Sequence, residues 1–246
     1  KTSWQRNIAY PRLGFDSFKC GDDMDVPQTD EHGYVSDDSD FRQVIWEFEH
    51  KQEGTPLFLF NVTIQNHGAY TVEDYPAEVT VEDAPGAYPK AEQYLTLANK
   101  TDEAFRQLVE YFEQQTEPTI IVMFGDHQPS VEQEFLDLVY NVGDDGMSME
   151  EYMRKYEVPY LIWANAAAKE ILGDDFTGDG GDFSPCFLMP KVFDLCGWTG
   201  PAFMQLARQV REVTPLVHER GLYLYDGQIT DALPQEQQDF VTRFLW

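Results

Sequence analysis

The feature that most constrains this chain is the run Thr119-Ile120-Ile121-Val122-Met123-Phe124 and the polar turn behind it, Gly125-Asp126-His127-Gln128-Pro129-Ser130. An unbroken apolar and β-branched run predicts a strand buried on both faces, as in the centre of a parallel sheet. Gly125 predicts a sharp turn, so Asp126 and His127 leave the carboxyl end of the strand, where open α/β sheets place their ligands. A carboxylate oxygen and an imidazole nitrogen both ligate Zn²⁺ or Mn²⁺, which makes the pair a candidate half-site for one divalent cation. Asp126 would serve equally well as a helix cap and His127 as a packed ring. At this point both readings stand.

A length of 246 residues suits one sizeable α/β domain, spanning 1–246, ahead of a division into two small domains. Hydrophobic residues at 42% and aromatics at 14% supply ample core material and argue against disorder. With 17 Lys and Arg against 44 Asp and Glu the formal net charge is −27, which excludes nucleic acid as a natural partner. An anionic substrate would then need a local cation, either a metal or a placed Arg. Cys20, Cys186 and Cys196 form neither a disulfide framework nor a CxxC metal site and are expected to be small core residues. No run approaches the ~20 apolar residues of a membrane span, and no signal peptide opens the chain. The start at Lys1 and the apolar end Phe244-Leu245-Trp246 suggest a piece of something longer.

Residues 1–40 are predicted to be irregular. Within them Ser3-Trp4-Gln5-Arg6 sets an aromatic surface and a guanidinium fork two apart, so an extended backbone would turn both toward one cleft, while on residues alone an anchored Trp and a solvated Arg is the favoured reading. Ser39 or Asp40 is the expected cap of a helix carrying Phe41, Val44, Ile45 and Phe48, which Gly54 would end. Leu57 to Ile64 reads as a second buried strand, followed by Gln65-Asn66-His67-Gly68. An acidic loop over 71–89 could cover a site. Spacing of three and four from Tyr94 to Phe112 predicts a long amphipathic helix over about 90–115. The two strands and this helix make a βαβ unit, and its right-handed crossover would bring His67 and Asp126 to one sheet edge.

Further on, 131–140 reads as a helix and Ser148-Met149-Glu150-Glu151 as a capping box opening another. Val158 to Ala164 is a third strand. Gly173 to Asp182 is an acidic, Gly-rich loop without EF-hand spacing. Helices are expected from Ser184-Pro185 to Gly197, over Ala202 to Glu212, and from about Gln235, with a short edge strand at Tyr223-Leu224-Tyr225.

Taken together, these segments resemble the extracellular catalytic domain of lipoteichoic acid synthase and related phosphoglycerol transferases, in the alkaline phosphatase and sulfatase superfamily. Thr119 to Ser130 is similar to the family's strand and GDH segment, and Phe60 to Tyr70 to its strand and NHGPY-type segment. Ser3-Trp4-Gln5-Arg6 with Leu13-Gly14-Phe15-Asp16-Ser17-Phe18 looks like its FWNR and GYD.F passage. The resemblance implies an α/β fold with a mostly parallel central sheet flanked by helices, incomplete at its N-terminus. It implies one divalent cation, Mn²⁺ with Mg²⁺ or Zn²⁺ as alternatives, of which Asp126 and His127 would be two ligands. It also implies that His67 meets the substrate phosphate and that Trp4 and Arg6 line a glycerophosphate pocket. The family's Thr nucleophile and Glu ligand would lie upstream of Lys1, since neither Thr2 nor Thr63 has the nucleophile's context.

The implied activity is transfer of glycerophosphate from phosphatidylglycerol to a polymer or glycolipid acceptor. The parent protein would be membrane-anchored, acting at the extracellular face of a bacterial cell membrane, and this piece alone would be inactive. A sulfatase or phosphodiesterase with a similar metal site, and a non-catalytic binding domain retaining the fold, are the alternatives.

Overall fold

A computed structural model describes residues 3–71, 73, 75–141 and 146–245. Thr2 and Trp246 lie outside them. The chain is α/β, and it divides into two compact units. The first comprises 1–114 and 129–141, the second 115–128 and 142–246.

The first unit is built on two long helices, α2 (Asp37–His50) and α3 (Pro89–Glu113). Ser36 starts α2 by accepting the Ser39 amide on its hydroxyl at 3.2 Å, three residues ahead of the expected cap. Asp37, Asp38 and Asp40 then occupy the first turn, where the helix dipole favours negative charge. The helices pack through Phe41 against Phe105 and Phe48 against Phe112, with Leu97, Ala104 and Leu108 buried along α3. Fully burying a Leu or Phe side chain such as Leu97, Leu108 or Phe112 contributes about 1.5–3 kcal/mol. The carboxylate of Glu132, just before α4 (Gln133–Val139), accepts the Lys90 and Ala91 amides at 2.8 and 3.0 Å and so caps α3.

Residues before α2 are more ordered than their composition suggests. Helix α1 (Arg6–Arg12) and a two-stranded hairpin, β1 (Asp30–Glu31) with β2 (Tyr34–Val35), replace the expected irregular chain. Tyr10 of α1 and Phe15 pack on Phe60, and Phe15 stacks on Phe58. The segment 57–64 is extended but joins no β-ladder among the described residues, and Phe58 is 70% exposed. Aromatic packing from one side and the Asn61 side chain donating to the Asp40 carboxylate, rather than strand pairing, hold it.

In the second unit β3 (Ile120–Phe124) pairs antiparallel with β4 (Tyr160–Ala164), in register from Ile120 opposite Ala164 to Phe124 opposite Tyr160. Asn165 locks the far end of this ribbon. Its carbonyl oxygen accepts the Thr119 and Ala168 amides, at 3.0 Å each, and thereby caps α6 (Ala166–Leu172). Its amide nitrogen donates to the Glu117 carbonyl at 2.8 Å. The capping box expected at Ser148 is present and opens α5 (Met149–Arg154).

The C-terminal part forms its own core. A 3₁₀ turn at Pro185–Phe187 leads into α7 (Leu188–Leu195), followed by α8 (Ala202–Val213), the hairpin β5 (Tyr223–Tyr225) with β6 (Gln228–Thr230), and α9 (Gln235–Leu245). Phe187, Ala207, Val210, Tyr223, Leu233 and Val241 meet there, with Phe244 stacked on Phe187.

Two expectations are corrected. Every strand pair among the described residues is antiparallel, not parallel. The βαβ crossover is not formed, because 57–64 is in no ladder and β3 takes β4 as its neighbour. A parallel and an antiparallel strand can share one apolar pattern, and pairing is decided by partners far away in sequence. The cysteines also differ from expectation: all are free thiols, but only Cys196 is buried, and Cys186 is exposed.

Candidate functional site

The turn after β3 has the predicted geometry. Gly125 donates its amide to the Pro159 carbonyl at 3.0 Å, and an ideal Cβ there would sit 3.1 Å from Val158 Cβ, so a side chain would crowd the neighbouring strand. The chain then turns, and Asp126 and His127 project outward with side chains 84% and 73% exposed.

These two side chains converge instead of diverging. His127 Nε2 lies 3.6 Å from Asp126 Oδ2, while Asp126 Oδ1 accepts the His127 amide at 2.9 Å. The other ring nitrogen, Nδ1, is 2.9 Å from the Gln128 carbonyl. A carbonyl can only accept, so Nδ1 carries the hydrogen and Nε2 keeps its lone pair. Metal-bound histidines are oriented in just this way, by a hydrogen bond from the nitrogen that does not ligate. Asp126 Oδ2 and His127 Nε2 therefore fit as two donors to one cation with bonds of about 2.0–2.2 Å. No group of three or more His, Cys, Asp or Glu side chains is placed to hold a metal among the described residues.

His67 sits in a similar small turn in the first unit. Its amide donates to the Ile64 carbonyl at 3.0 Å, and its Nδ1 donates to the Gly68 carbonyl at 2.7 Å, again leaving Nε2 with its lone pair. Tyr34 packs edge-on to the imidazole at 5.7 Å, with its hydroxyl 3.4 Å from both His67 Nδ1 and the Gly68 carbonyl. Sequence reasoning did not single out Tyr34, because the β1–β2 hairpin that delivers it is only four strand residues long and has no periodic signal.

Trp4 and Arg6 depart from the extended backbone expected of them. Ser3–Gln5 is a 3₁₀ turn, with Trp4 and Gln5 both in left-handed backbone at φ 56 and 52, and Arg6 begins α1. Trp4 is 87% exposed. The passage they open is anchored on 57–64 through Tyr10, Phe15 and Phe60. No hydrogen bond, ion pair or ring contact joins Trp4 or Arg6 to His67 among the described residues.

The family profile described as Sulfatase matches residues 1–198. A Rhizobium meliloti (strain 1021) protein named for cyclic beta-1,2-glucan modification is 26% identical over 209 residues, covering 81% of this chain and 31% of its own length. The capsular polysaccharide biosynthesis protein RkpI of the same organism is 29% identical over 129 residues, covering 52% of this chain and 22% of its own. The chain thus spans less than a third of these relatives. Among solved structures, Streptococcus pyogenes phosphoglycerol transferase GacH, in complex with sn-glycerol-1-phosphate, superposes with a TM-score of 0.65 at 18% identity. That match covers 98% of this chain and 56% of GacH, and shows a shared fold.

Proposed function

Because the chain belongs to the sulfatase family, we propose that it is the part of a metal-dependent phosphoglycerol transferase that carries two metal ligands and the headgroup-binding residues. The observation that carries this reading is the Asp126–His127 pair, with Nε2 3.6 Å from Oδ2 and the Nδ1 hydrogen already committed to a carbonyl. A divalent cation held there would draw charge from phosphoryl oxygens and lower the pKa of a coordinated hydroxyl.

The remaining roles belong to the protein's own side chains. His67 offers Nε2 to a phosphoryl oxygen, donating a hydrogen bond when protonated. Arg6 supplies a bidentate fork for the same group, and Trp4 a face for the glycerol carbons. In the transfer itself a Thr hydroxyl of the parent protein, upstream of Lys1, would form a bond to phosphorus while the diacylglycerol oxygen leaves with a proton. An acceptor hydroxyl then displaces the Thr oxygen, which recovers its proton. The curated relatives are named for glucan modification and capsule synthesis, which favours a glycan hydroxyl as the acceptor. Among the described residues no helix is long and apolar enough to cross a membrane, so the parent's anchoring and extracellular placement are part of the proposal.

Isothermal titration of this chain with Mn²⁺, and with sn-glycerol-1-phosphate, tests the two halves of the reading. Mn²⁺ binding that survives His127→Ala would overturn the metal assignment. Glycerol phosphate binding unchanged in His67→Ala would overturn the headgroup assignment.

A further inference from the structure

The His67 turn is tied to the helices by a buried polar network that none of the roles above uses. Gln65, two residues before His67, is 2% exposed and has every side-chain polar atom paired. Its Oε1 accepts the Asp37 amide at 3.0 Å, one of the first-turn donors of α2 that no helical carbonyl can satisfy. Its Nε2 donates to the Leu97 carbonyl at 3.0 Å and to the Thr101 hydroxyl at 3.1 Å, both on α3. The next residue converges on the same hydroxyl, with Asn66 Nδ2 2.8 Å from Thr101 Oγ1. Thr101, now accepting from two amides, gives its own proton to Asp37 Oδ2 at 2.7 Å. The backbone is held as well: the Gln65 carbonyl contacts His32 Nε2 at 2.6 Å, and the Asn66 carbonyl accepts the Tyr70 hydroxyl at 2.7 Å.

We propose that Thr101, with Gln65 and Asp37, positions His67 for the phosphate of its ligand, acting through the 65–66 backbone and not by touching the ligand. The proposal rests on the headgroup role given to His67 above. Consecutive side chains on an extended chain point to opposite sides, yet Gln65 and Asn66 both reach Thr101. The turn at 65–66 is what brings both to one hydroxyl. A hydroxyl has a single proton and two acceptor sites, and with two amides donating to Thr101 its proton is left for an acceptor, the nearest being Asp37 Oδ2. A network of this kind adds little net stability over an apolar core of equal volume, and its value lies in specifying one conformation. Asp37 Oδ1 and Asn66 Oδ1 are buried without a donor, so the order is obtained at some cost in desolvation.

Thr101→Val keeps the volume and removes the hydroxyl, and Thr101→Ser restores the hydroxyl alone. The readout specific to positioning is the ring resonance of His67, one of five histidines, assigned by its loss in His67→Ala, together with amide exchange at 66–68. In Thr101→Val that resonance is expected to broaden or split, with amide exchange at 66–68 faster by at least tenfold. Binding of sn-glycerol-1-phosphate should weaken by roughly tenfold, as for a binding group displaced by a fraction of an ångström. Thr101→Ser should return all three to wild type. If Thr101→Val is unfolded, Asn66→Ala serves, since it removes one donor and leaves Gln65 in place. An unchanged His67 resonance and unchanged exchange in a folded variant overturn the positioning role whatever the ligand does. A disturbed resonance, with glycerol phosphate affinity equal in wild type, Thr101→Val and His67→Ala, keeps the positioning and overturns the headgroup role instead.

Discussion

The two histidine-bearing turns use the same local device and opposite support. In each, Nδ1 of the imidazole donates to the carbonyl of the following residue, so Nε2 is the nitrogen offered to a ligand. The 65–67 turn is fastened to α2 and α3 by a side chain that is 2% exposed. The 126–127 turn projects into solvent beyond the ribbon end, where the Gly125 amide meets the Pro159 carbonyl and the Gln128 side chain donates to the Glu157 carbonyl. A neutral or anionic group can be held in place by a protein network alone. The two side chains proposed as metal donors would need the cation itself to settle them, since without it a carboxylate and an imidazole gain more from water than from each other.

The largest expected effect is at the exposed turn. His127→Ala removes one of two protein donors, and even loss of a residue that merely orients a ligand costs 10–100-fold in metal affinity. Mn²⁺ affinity should therefore fall by about 100-fold or more, measured by titration calorimetry, with thermal stability in metal-free buffer unchanged. A change below threefold would place the cation elsewhere and dissolve the contrast between the turns.

The second effect concerns what burial costs the fastened region. Asp40, on the first turn of α2, has its carboxyl raised from 3.8 to about 6, chiefly by burial and further by nearby Asp37, against a hydrogen bond from Asn61. Asp37 is likewise raised by burial, with the Thr101 hydroxyl opposing. A raised carboxyl means the native state holds the proton more tightly than the unfolded chain. Its contribution is fully present below pH 3.8 and is lost as pH rises to about 6. Asp40→Asn keeps an acceptor for Asn61 and carries no charge. Relative to wild type it should gain stability between pH 4 and 7, by at most about 3 kcal/mol and less where water reaches the carboxylate. Urea midpoints across that range measure it, and parallel curves would show that Asp40 is solvated.

Legibility in the sequence followed the reach of the forces involved. The long helix was expected over 90–115 and runs Pro89–Glu113, the strand expected at 119–124 is Ile120–Phe124, and the Ser148–Glu151 capping box stands as read. Each depends on neighbours within one or two turns. Thr119 to Phe124 announced the strand and Gly125 the turn, while Asp126 and His127 left a converging pair and a helix cap with a packed ring equally open. What was not legible is set from afar. Leu57 to Ile64 has a strand's composition, yet a ladder needs a partner, and none of its own residues names one. Gln65 reads as an ordinary polar turn residue, and its partners Asp37 and Thr101 lie 28 and 36 positions away. Gly14 to Phe18 looked irregular although its aromatics seal one side of 57–64.

The third expectation follows the cation from affinity to order. If the exposed turn is settled by its ligand and the fastened one by the protein, saturating Mn²⁺ should slow amide exchange at 126–128 by roughly tenfold, a ligand-linked gain near 1.4 kcal/mol. The amides at 65–68 should change by less than twofold. Equal protection of both segments would mean that the metal acts on the fold as a whole. No protection at either would leave the 3.6 Å approach of His127 to Asp126 as a chance of two exposed side chains.

The smallest effect probes the one residue that shapes the exposed turn from within. Gly125 does not need left-handed backbone, so its role is space: a Cβ would stand 3.1 Å from Val158 Cβ and 3.4 Å from Val158 Cγ1. Such contacts are a few tenths of an ångström too close, and Val158 lies just before β4, where the chain can give slightly. Gly125→Ala should thus cost about 1 kcal/mol, the low end of overpacking penalties. Because Asp126 follows directly, the same shift should weaken Mn²⁺ binding severalfold while leaving the 65–68 turn untouched. Gly125→Ala combined with Val158→Gly removes Cβ and both methyl groups opposite and should recover the metal affinity, though not the stability lost with Val158. Recovery of neither would mean that residue 125 governs the turn through backbone freedom and not through the space beside Val158.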